Sequence, residues 1–208
     1  MRMSIRMFLA AILICVVGTA KAEADSFAAN LSAAQVTGTS TETGTGVATF
    51  FLDASQQTLS YTIQVFGLDL KADASDRTGF SDVTAIHLHN GFAGATGPHV
   101  LNIFGVPSED DADVVIDFDN DIISGVYDDS DAIDPNTGEL FDQNSPLTTK
   151  LLSNFVDDLQ GQQIYVAIHT AGQDGNIAIR GQLTAVPEPS SVVLVLAGVM
   201  CCGLRRKR

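Results

Sequence analysis

The sequence predicts an all-β domain, an antiparallel Greek-key-like sandwich or barrel with one short helix. Between its two ends, most of the chain consists of short segments in which apolar and polar residues alternate, as they do in half-buried strands. Polar, glycine-rich turns separate these segments, and one segment alone has the apolar spacing of a helix. Many short strands with little helix are typical of a sandwich or a barrel.

The clearest strand is predicted over residues 58–67, where Leu59, Tyr61, Ile63 and Val65 alternate with polar residues. Because successive side chains of a strand point to opposite faces, these four share one face. Eight further strands follow from the same kind of pattern, and the second and third strands form a hairpin across a turn. The eight are predicted over residues 26–31, 47–53, 83–89, 99–104, 114–118, 122–127, 163–169 and 177–183.

One helix is predicted to begin at Ser145, which would cap it, with Pro146 in the first turn. Asp157 and Asp158 would lie near its C-terminal end, where negative charge opposes the helix dipole, so its end is not fixed. The helix would bury an apolar stripe made by Leu147, Leu151, Leu152 and Phe155.

Residues 1–22 have the three parts of a secretory signal peptide. Arg2 and Arg6 give a positive start, an apolar run follows, and Ala20-Lys21-Ala22 is a small-x-small cleavage site. The run of about 11 apolar residues is shorter than the roughly 20 that a membrane-spanning helix needs. We therefore expect export, with signal peptidase as a partner and a mature chain that begins near Glu23.

Residues 186–208 combine the motif Pro187-Glu188-Pro189, a short apolar segment and a basic tail. This order resembles the PEP-CTERM sorting signal of bacteria, which membrane-bound exosortases read and cleave. The resemblance implies an exosortase as a second partner and only transient membrane contact through this segment. It also implies delivery to the cell surface, the outer membrane or an extracellular matrix. Residues 23–185 remain as one β domain.

The region between the two ends is strongly acidic. Residues 23–187 carry 24 acidic and four basic side chains, a balance of about −20. Nucleic-acid binding is not expected, because it needs a cationic face that replaces counterions. The three cysteines, Cys15, Cys201 and Cys202, all lie in the ends. The domain between them therefore has no disulfide and no thiolate that could act as a ligand or nucleophile.

Several blocks of sequence resemble the chordin-type CHRD domain in their order along the chain. The resemblance spans about residues 25–184, and its last two blocks are the most specific. It implies an extracellular, β-rich module. The blocks are residues 31–35, 46–50, 59–63, 85–89 with Gly97-Pro98, 165–170, and Arg180-Gly181-Gln182-Leu183.

The four histidines are the main candidates for a site. His87 and His89 are two apart on a predicted strand and share a face, and His169 lies opposite the aliphatic face of a later strand. Strand parity therefore points these three side chains away from the core, and Arg180 joins them on the outer face. His99 follows the glycine-rich loop and is the residue that could close a site.

Two interpretations of these histidines are open. In one, the imidazoles hydrogen-bond loop carbonyls and hold the glycine-rich loop in place. In the other, they bind copper or zinc, because a neutral imidazole nitrogen is a good ligand for both metals.

The order of the histidines is similar to that of the copper ligands in copper/zinc superoxide dismutases. It consists of His-x-His on a strand, a glycine-rich loop ending in Gly97-Pro98-His99, a distant His169 and a later arginine. The resemblance implies a copper site. The domain, however, has no disulfide, no spare histidine for a separate zinc, and different spacings. Dismutase activity is therefore not expected.

The acidic segment at residues 109–142 raises the hypothesis of a calcium site, because carboxylate oxygens are the ligands of that ion. Its candidate ligands are Asp128, Asp129, Asp131 and Asp134. The glycine and the closing glutamate of an EF-hand are not at the required offsets. A solvated acidic insert is the alternative.

No catalytic motif is apparent, since there is no Gly-x-Ser-x-Gly and no phosphate-binding loop. We therefore expect an exported structural or binding module without catalytic activity. A copper- or zinc-binding protein built on the four histidines is the alternative.

Overall fold

The computed structural model describes residues 25–105, 113–146 and 148–187. Within these ranges the chain forms ten strands and one short α-helix, which confirms the predicted all-β class. The elements are β1 (Asp25–Ser32), β2 (Thr45–Leu52), β3 (Thr58–Phe66), β4 (Val83–Asn90), β5 (His99–Gly105), β6 (Val115–Asp117), β7 (Ile122–Asp128), α1 (Val156–Gln160), β8 (Ile164–Thr170), β9 (Ile177–Gln182) and β10 (Thr184–Ala185).

The ten strands form one antiparallel sheet in the order β5-β4-β8-β9-β1-β2-β3-β7-β6, and β10 pairs with β1. Neighbours in the sheet are not always neighbours in the chain, because the chain crosses from β3 to β4 and back from β5 to β6. The sheet curls into a half-barrel whose inner face encloses one hydrophobic core. This arrangement brings β4, β5, β8 and β9 side by side.

Strand β3 shows how alternation in the sequence builds the core. Leu59, Tyr61, Ile63 and Val65 point inward and are at most 3% exposed, as predicted. The polar residues between them point outward. Burying apolar side chains on one face only fixes the register, since a slip of one residue would turn all of them to solvent.

The predicted hairpin of β2 and β3 is confirmed. The two strands pair along their whole length, from Thr45 opposite Phe66 to Leu52 opposite Leu59. The Asp53 carboxylate closes the turn, because its Oδ1 accepts the backbone N–H groups of Gln57 and Thr58 at 2.8 Å each.

Strands β4 and β8 have a second covered face. Ile86 and Leu88 of β4 point into the core, as do Val166 and Ile168 of β8. On the opposite face of β8, Tyr165 is only 1% exposed. The loop at residues 91–98 contacts this side of the sheet, so the histidine face is a partly buried layer and not an open surface.

The helix predicted to start at Ser145 is wrong in position. Helical structure begins with a 3₁₀ turn at Leu152–Asn154 and continues in α1, Val156–Gln160. The preceding residues bond elsewhere: the Lys150 N–H donates to the Val100 carbonyl of β5, at 2.8 Å. Its ammonium donates to the carbonyls of Asp142 and Ser145.

These tertiary hydrogen bonds replace the i→i−4 bonds of a helix. Leu147 lies outside the described residues. Asp157 and Asp158 fall in the first turn of α1, where negative charge is favourable and not, as predicted, opposed to the dipole.

In the described part of the chain, no helix has the length and apolarity to span a bilayer.

Candidate metal centre

Three adjacent strands bring the four histidines together. His87 and His89 lie on β4, His99 begins β5, and His169 lies near the end of β8. His89 is directly opposite His99 in the β4–β5 pair, and Ala85 is opposite His169 in the β4–β8 pair. The side chains therefore meet on the face opposite the aliphatic core, which is where strand parity predicts His87, His89 and His169.

The imidazole rings are close-packed. The His87 ring centroid lies 4.5 Å from that of His99, 5.1 Å from that of His169 and 6.1 Å from that of His89. One ring nitrogen from each of His87, His89 and His169 can be chosen so that all three lie within 4.8 Å of one another. Tetrahedral ligands at about 2.0–2.1 Å from an ion are about 3.4 Å apart, so small ring rotations would complete the geometry.

His89 and His169 are oriented by backbone carbonyls. His89 Nδ1 lies 3.0 Å from the Gly97 oxygen, and His169 Nδ1 lies 3.0 Å and 3.1 Å from the oxygens of Gly175 and Asn176. Because a carbonyl oxygen only accepts, Nδ1 must carry the proton in both rings. The lone pair of each neutral ring is therefore on Nε2.

The Nε2 atoms of His89 and His169 are the unusual feature of this cluster. Both are buried, and neither accepts a hydrogen bond from any residue that the structure describes. A buried acceptor without a partner costs about 1–3 kcal/mol. Histidine ligands of metals typically donate their other ring N–H to a carbonyl, which is the arrangement seen here.

Burial also keeps these imidazoles neutral. It lowers the pKa of His89 from 6.5 to about 4, and the positive charge of Arg180 contributes in the same direction. Burial lowers the pKa of His169 and of His99 as well. A neutral imidazole is the form that binds a transition metal, so protons compete weakly for this site near pH 7.

His99 does not join the group of three. Its Nε2 pairs with Asn102 Oδ1. The His99 ring thus packs against His87, but its hydrogen bond is to Asn102, outside the cluster. The structure brings together His87, His89 and His169, and places His99 beside them.

Arg180 lies on the histidine face of β9 but is not a solvent-facing neighbour, since it is 1% exposed. It donates to the carbonyls of Ala95 at 2.7 Å and Phe92 at 2.9 Å, which holds down the loop at residues 91–98. Its guanidinium carbon lies 3.5 Å from the ring centroid of Tyr165. Tyr165 in turn stacks on His89, with centroids 5.1 Å apart and planes 16° apart.

The aspartates of the calcium hypothesis make local hydrogen bonds. Asp128 and Asp131 form a capping box around a 3₁₀ turn, and Asp129 Oδ1 accepts the Ser153 N–H at 2.9 Å. Asp134 Oδ1 accepts the Asn136 N–H at 2.8 Å. Across residues 25–105, 113–146 and 148–187, the histidine trio is the only group of three potential ligands of this kind.

The sorting motif and the signal peptide cannot be placed. Pro187 is the last described residue, while Glu188, Pro189 and residues 1–22 lie outside the described residues.

Sequence reasoning missed the groups that orient the rings. The Gly97, Gly175 and Asn176 carbonyls are backbone atoms and leave no residue-type signal in a sequence. Asn102 could have been suspected, because a polar residue interrupts the apolar run of β5.

Fold and site together define an antiparallel β module with a buried histidine cluster beneath the loop at residues 91–98, which Arg180 holds in place. The model of the CHRD domain family matches residues 27–183, and the chain therefore belongs to this family. CHRD domains are modules of the extracellular, secreted type. No curated protein and no solved structure gave a match to the chain.

Proposed function

We propose that this protein is an exported, non-catalytic CHRD module that binds one transition-metal ion, copper or zinc. The ligands are Nε2 of His89, Nε2 of His169 and a ring nitrogen of His87. The ion ties together three pieces of backbone, namely strand β4, the loop at residues 91–98 and the turn at residues 175–176. Its role is to stabilise a surface or matrix module.

The observation that supports metal binding best is the pair of buried Nε2 atoms on His89 and His169. Each neutral ring has one N–H group, on Nδ1, and donates it to a backbone carbonyl. Nε2 can become a donor only if the proton moves from Nδ1 to Nε2, which breaks that hydrogen bond. Only a Lewis acid or a hydrogen-bond donor satisfies such an atom. An ion bound by both Nε2 atoms satisfies the two at once.

The competing interpretation is a structural imidazole cluster that holds the loop without metal. It accounts for the Nδ1 hydrogen bonds of His89 and His169 equally well. In the part of the chain that the structure describes, it provides no donor for the two buried Nε2 atoms, and a buried acceptor without a partner costs about 1–3 kcal/mol. Metal binding therefore accounts for more of the geometry.

The test is calorimetric titration of the purified, EDTA-treated protein with Cu²⁺ and Zn²⁺, with elemental analysis of the dialysed complex. We expect one ion per chain. Because the ion binds the folded state only, the thermal midpoint should rise with free metal concentration.

The matched variants are His89→Gln with His169→Gln, and Thr62→Ala on the exposed face of β3 as the control. The double variant should lose at least about 100-fold in affinity, because it removes two of three ligands, and the control should bind like the wild type. Sub-stoichiometric metal in the wild type, or equal metal in the double variant, would contradict the proposal and favour the metal-free cluster.

The export part of the proposal is supported by the two chain ends and by family membership. The N-terminal tripartite segment and the Pro187-Glu188-Pro189 tail have the order of processing signals. Signal peptidase and exosortase are the proposed processing partners, and the bacterial surface or matrix is the proposed destination.

A further inference from the structure

We propose that the metal in this site keeps one coordination position open for water or a small monodentate anion, because Asn102 holds His99 out of the coordination sphere. The inference rests on the proposed metal site and adds the class of ligand that the site exchanges. Three protein ligands with a free fourth position define a reactive or ligand-exchanging centre, whereas four protein ligands define a closed structural one.

His99 is close enough to serve as the fourth ligand and is nevertheless excluded. Its ring centroid lies 4.5 Å from that of His87 and 5.8 Å from that of His89. Its nitrogens are not part of the group within 4.8 Å that the other three form. The distance between the rings therefore does not exclude His99 as a ligand. The direction of its hydrogen bond to Asn102 excludes it.

Asn102 is the anchor that sets this direction. It lies opposite His87 in the β4–β5 pair, is 1% exposed, and its Oδ1 pairs with His99 Nε2. Its own backbone N–H donates to Thr149 Oγ1 at 3.1 Å. This bond fixes the backbone from which the Asn102 side chain reaches His99.

The anchor is itself held by a buried network. Thr149 Oγ1 hydrogen-bonds the Tyr127 hydroxyl, and that hydroxyl donates to the Lys150 carbonyl at 2.8 Å. Tyr127 and Thr149 are 1% and 2% exposed. Turning His99 towards the metal would leave the buried Asn102 Oδ1 without this donor, so the ring stays where it is.

An anion suits the open position better than a cation does. Arg180 places a buried guanidinium on the same face, and it forms no ion pair with a carboxylate of the described residues. The charge of Arg180 is therefore not neutralised by an acid. A divalent ion on neutral imidazoles adds further positive charge, which attracts a small anion.

The experiment uses the Cu²⁺-loaded protein, with azide as the probe anion. We expect electron paramagnetic resonance to show three nitrogen ligands, and azide to shift that spectrum and add a charge-transfer absorption band. His99→Phe keeps the ring packing but removes the nitrogens. It should keep the three nitrogens, the azide response and a copper affinity within about threefold of the wild type, because His99 is not a ligand.

Loss of one nitrogen or of about 100-fold in copper affinity in His99→Phe overturns the inference, since His99 would then be a ligand. Absence of any azide response in the wild type overturns it as well. Asn102→Leu should free His99, add a fourth nitrogen and abolish the azide response. The His99→Phe and azide results decide the question even if Asn102→Leu does not fold. Failure of the metal site itself has a different signature, because the wild type would then bind no stoichiometric copper.

Discussion

At the scale of single residues, the chemistry of the cluster depends on which ring nitrogen of His89 and of His169 carries the proton. The Nδ1 protons of His89 and His169 are fixed by the carbonyls of Gly97, Gly175 and Asn176. This leaves both buried Nε2 atoms as acceptors. Burial disfavours positive charge on the rings of His89 and His169.

The metal-free protein should lose stability as the pH falls from about 6.5 towards about 4. The folded state holds His89 neutral down to a pKa of about 4, whereas the unfolded chain binds the proton near 6.5. The unfolded state thus binds more protons in this window, and stability present above pH 6.5 is lost on acidification. The His89 shift alone corresponds to roughly 3 kcal/mol. Urea unfolding in EDTA at several pH values measures this.

His89→Gln is the comparison for the pH series. It should make the free energy of unfolding depend less steeply on pH, by the contribution of about one bound proton, because one titrating ring has been removed. Asp82 and Asp134 have a lowered pKa, through the Lys71 ammonium and the Asn136 N–H respectively, so their contribution is lost below 3.8. A wild-type stability that is flat or rises between pH 6.5 and 4.5 would contradict the expected neutrality of the cluster.

At the scale of elements, the loop at residues 91–98 couples the site to the sheet. Its carbonyls at Phe92 and Ala95 accept from Arg180, the Gly97 N–H donates to the Tyr165 hydroxyl at 3.2 Å, and the Gly97 carbonyl orients His89. The loop is therefore part of the site. Gly97 lies against the backbone at the end of β4, so close that an added Cβ would overlap the Asn90 carbonyl oxygen.

Gly97→Ala should destabilise the protein by about 3 kcal/mol or more and weaken metal binding. A Cβ at this position would overlap the Asn90 carbonyl oxygen, so the loop must move and carry the Gly97 oxygen away from His89. Urea unfolding and copper titration measure the two effects.

Gly94→Ala in the same loop is the matched control. Its Cβ meets nothing within 4 Å, but its φ of +77° disfavours alanine, so we expect a cost of only about 1 kcal/mol and unchanged copper affinity. Equal effects of the two substitutions would show that close packing at Gly97 does not orient the site.

At the scale of the whole molecule, the domain separates apolar and polar chemistry onto two faces of one curled sheet. The inner face holds the core, and the outer face at β4, β5, β8 and β9 holds the histidines, Tyr165 and Arg180. Between residues 23 and 187 the chain is strongly acidic, which suits an exported protein by keeping copies apart.

The whole chain should be shortened at both ends during export. In a bacterium that carries an exosortase, mass spectrometry of the surface fraction should find a protein that begins near Glu23 and ends near the Pro187-Glu188-Pro189 motif. Removal of the basic tail, residues 205–208, should leave the protein unsorted in the membrane fraction, because cations fix the orientation of the apolar segment. Full-length wild-type protein found only in the cytosol would contradict the proposed export.

Much of the fold could be predicted because strand alternation is a local property. Leu59, Tyr61, Ile63 and Val65 point to the core whatever the topology, and the same parity turns His87, His89 and His169 to the other face. The helix was misplaced because Ser145, Pro146 and the leucines after them satisfy helical rules locally. The contact of Lys150 with Val100 on β5, which is distant in sequence, overrides those rules.

The sequence by itself determined the antiparallel β class, the family and the set of histidines that share a face, since each follows from residue type and period. Only the tertiary structure decided which histidines form a group, because strand order places β4 between β5 and β8. It also decided that Asn102 holds His99 aside and that Arg180 is buried beneath a loop. Those outcomes depend on backbone carbonyls and on contacts between distant segments, which a pattern of residue types does not encode.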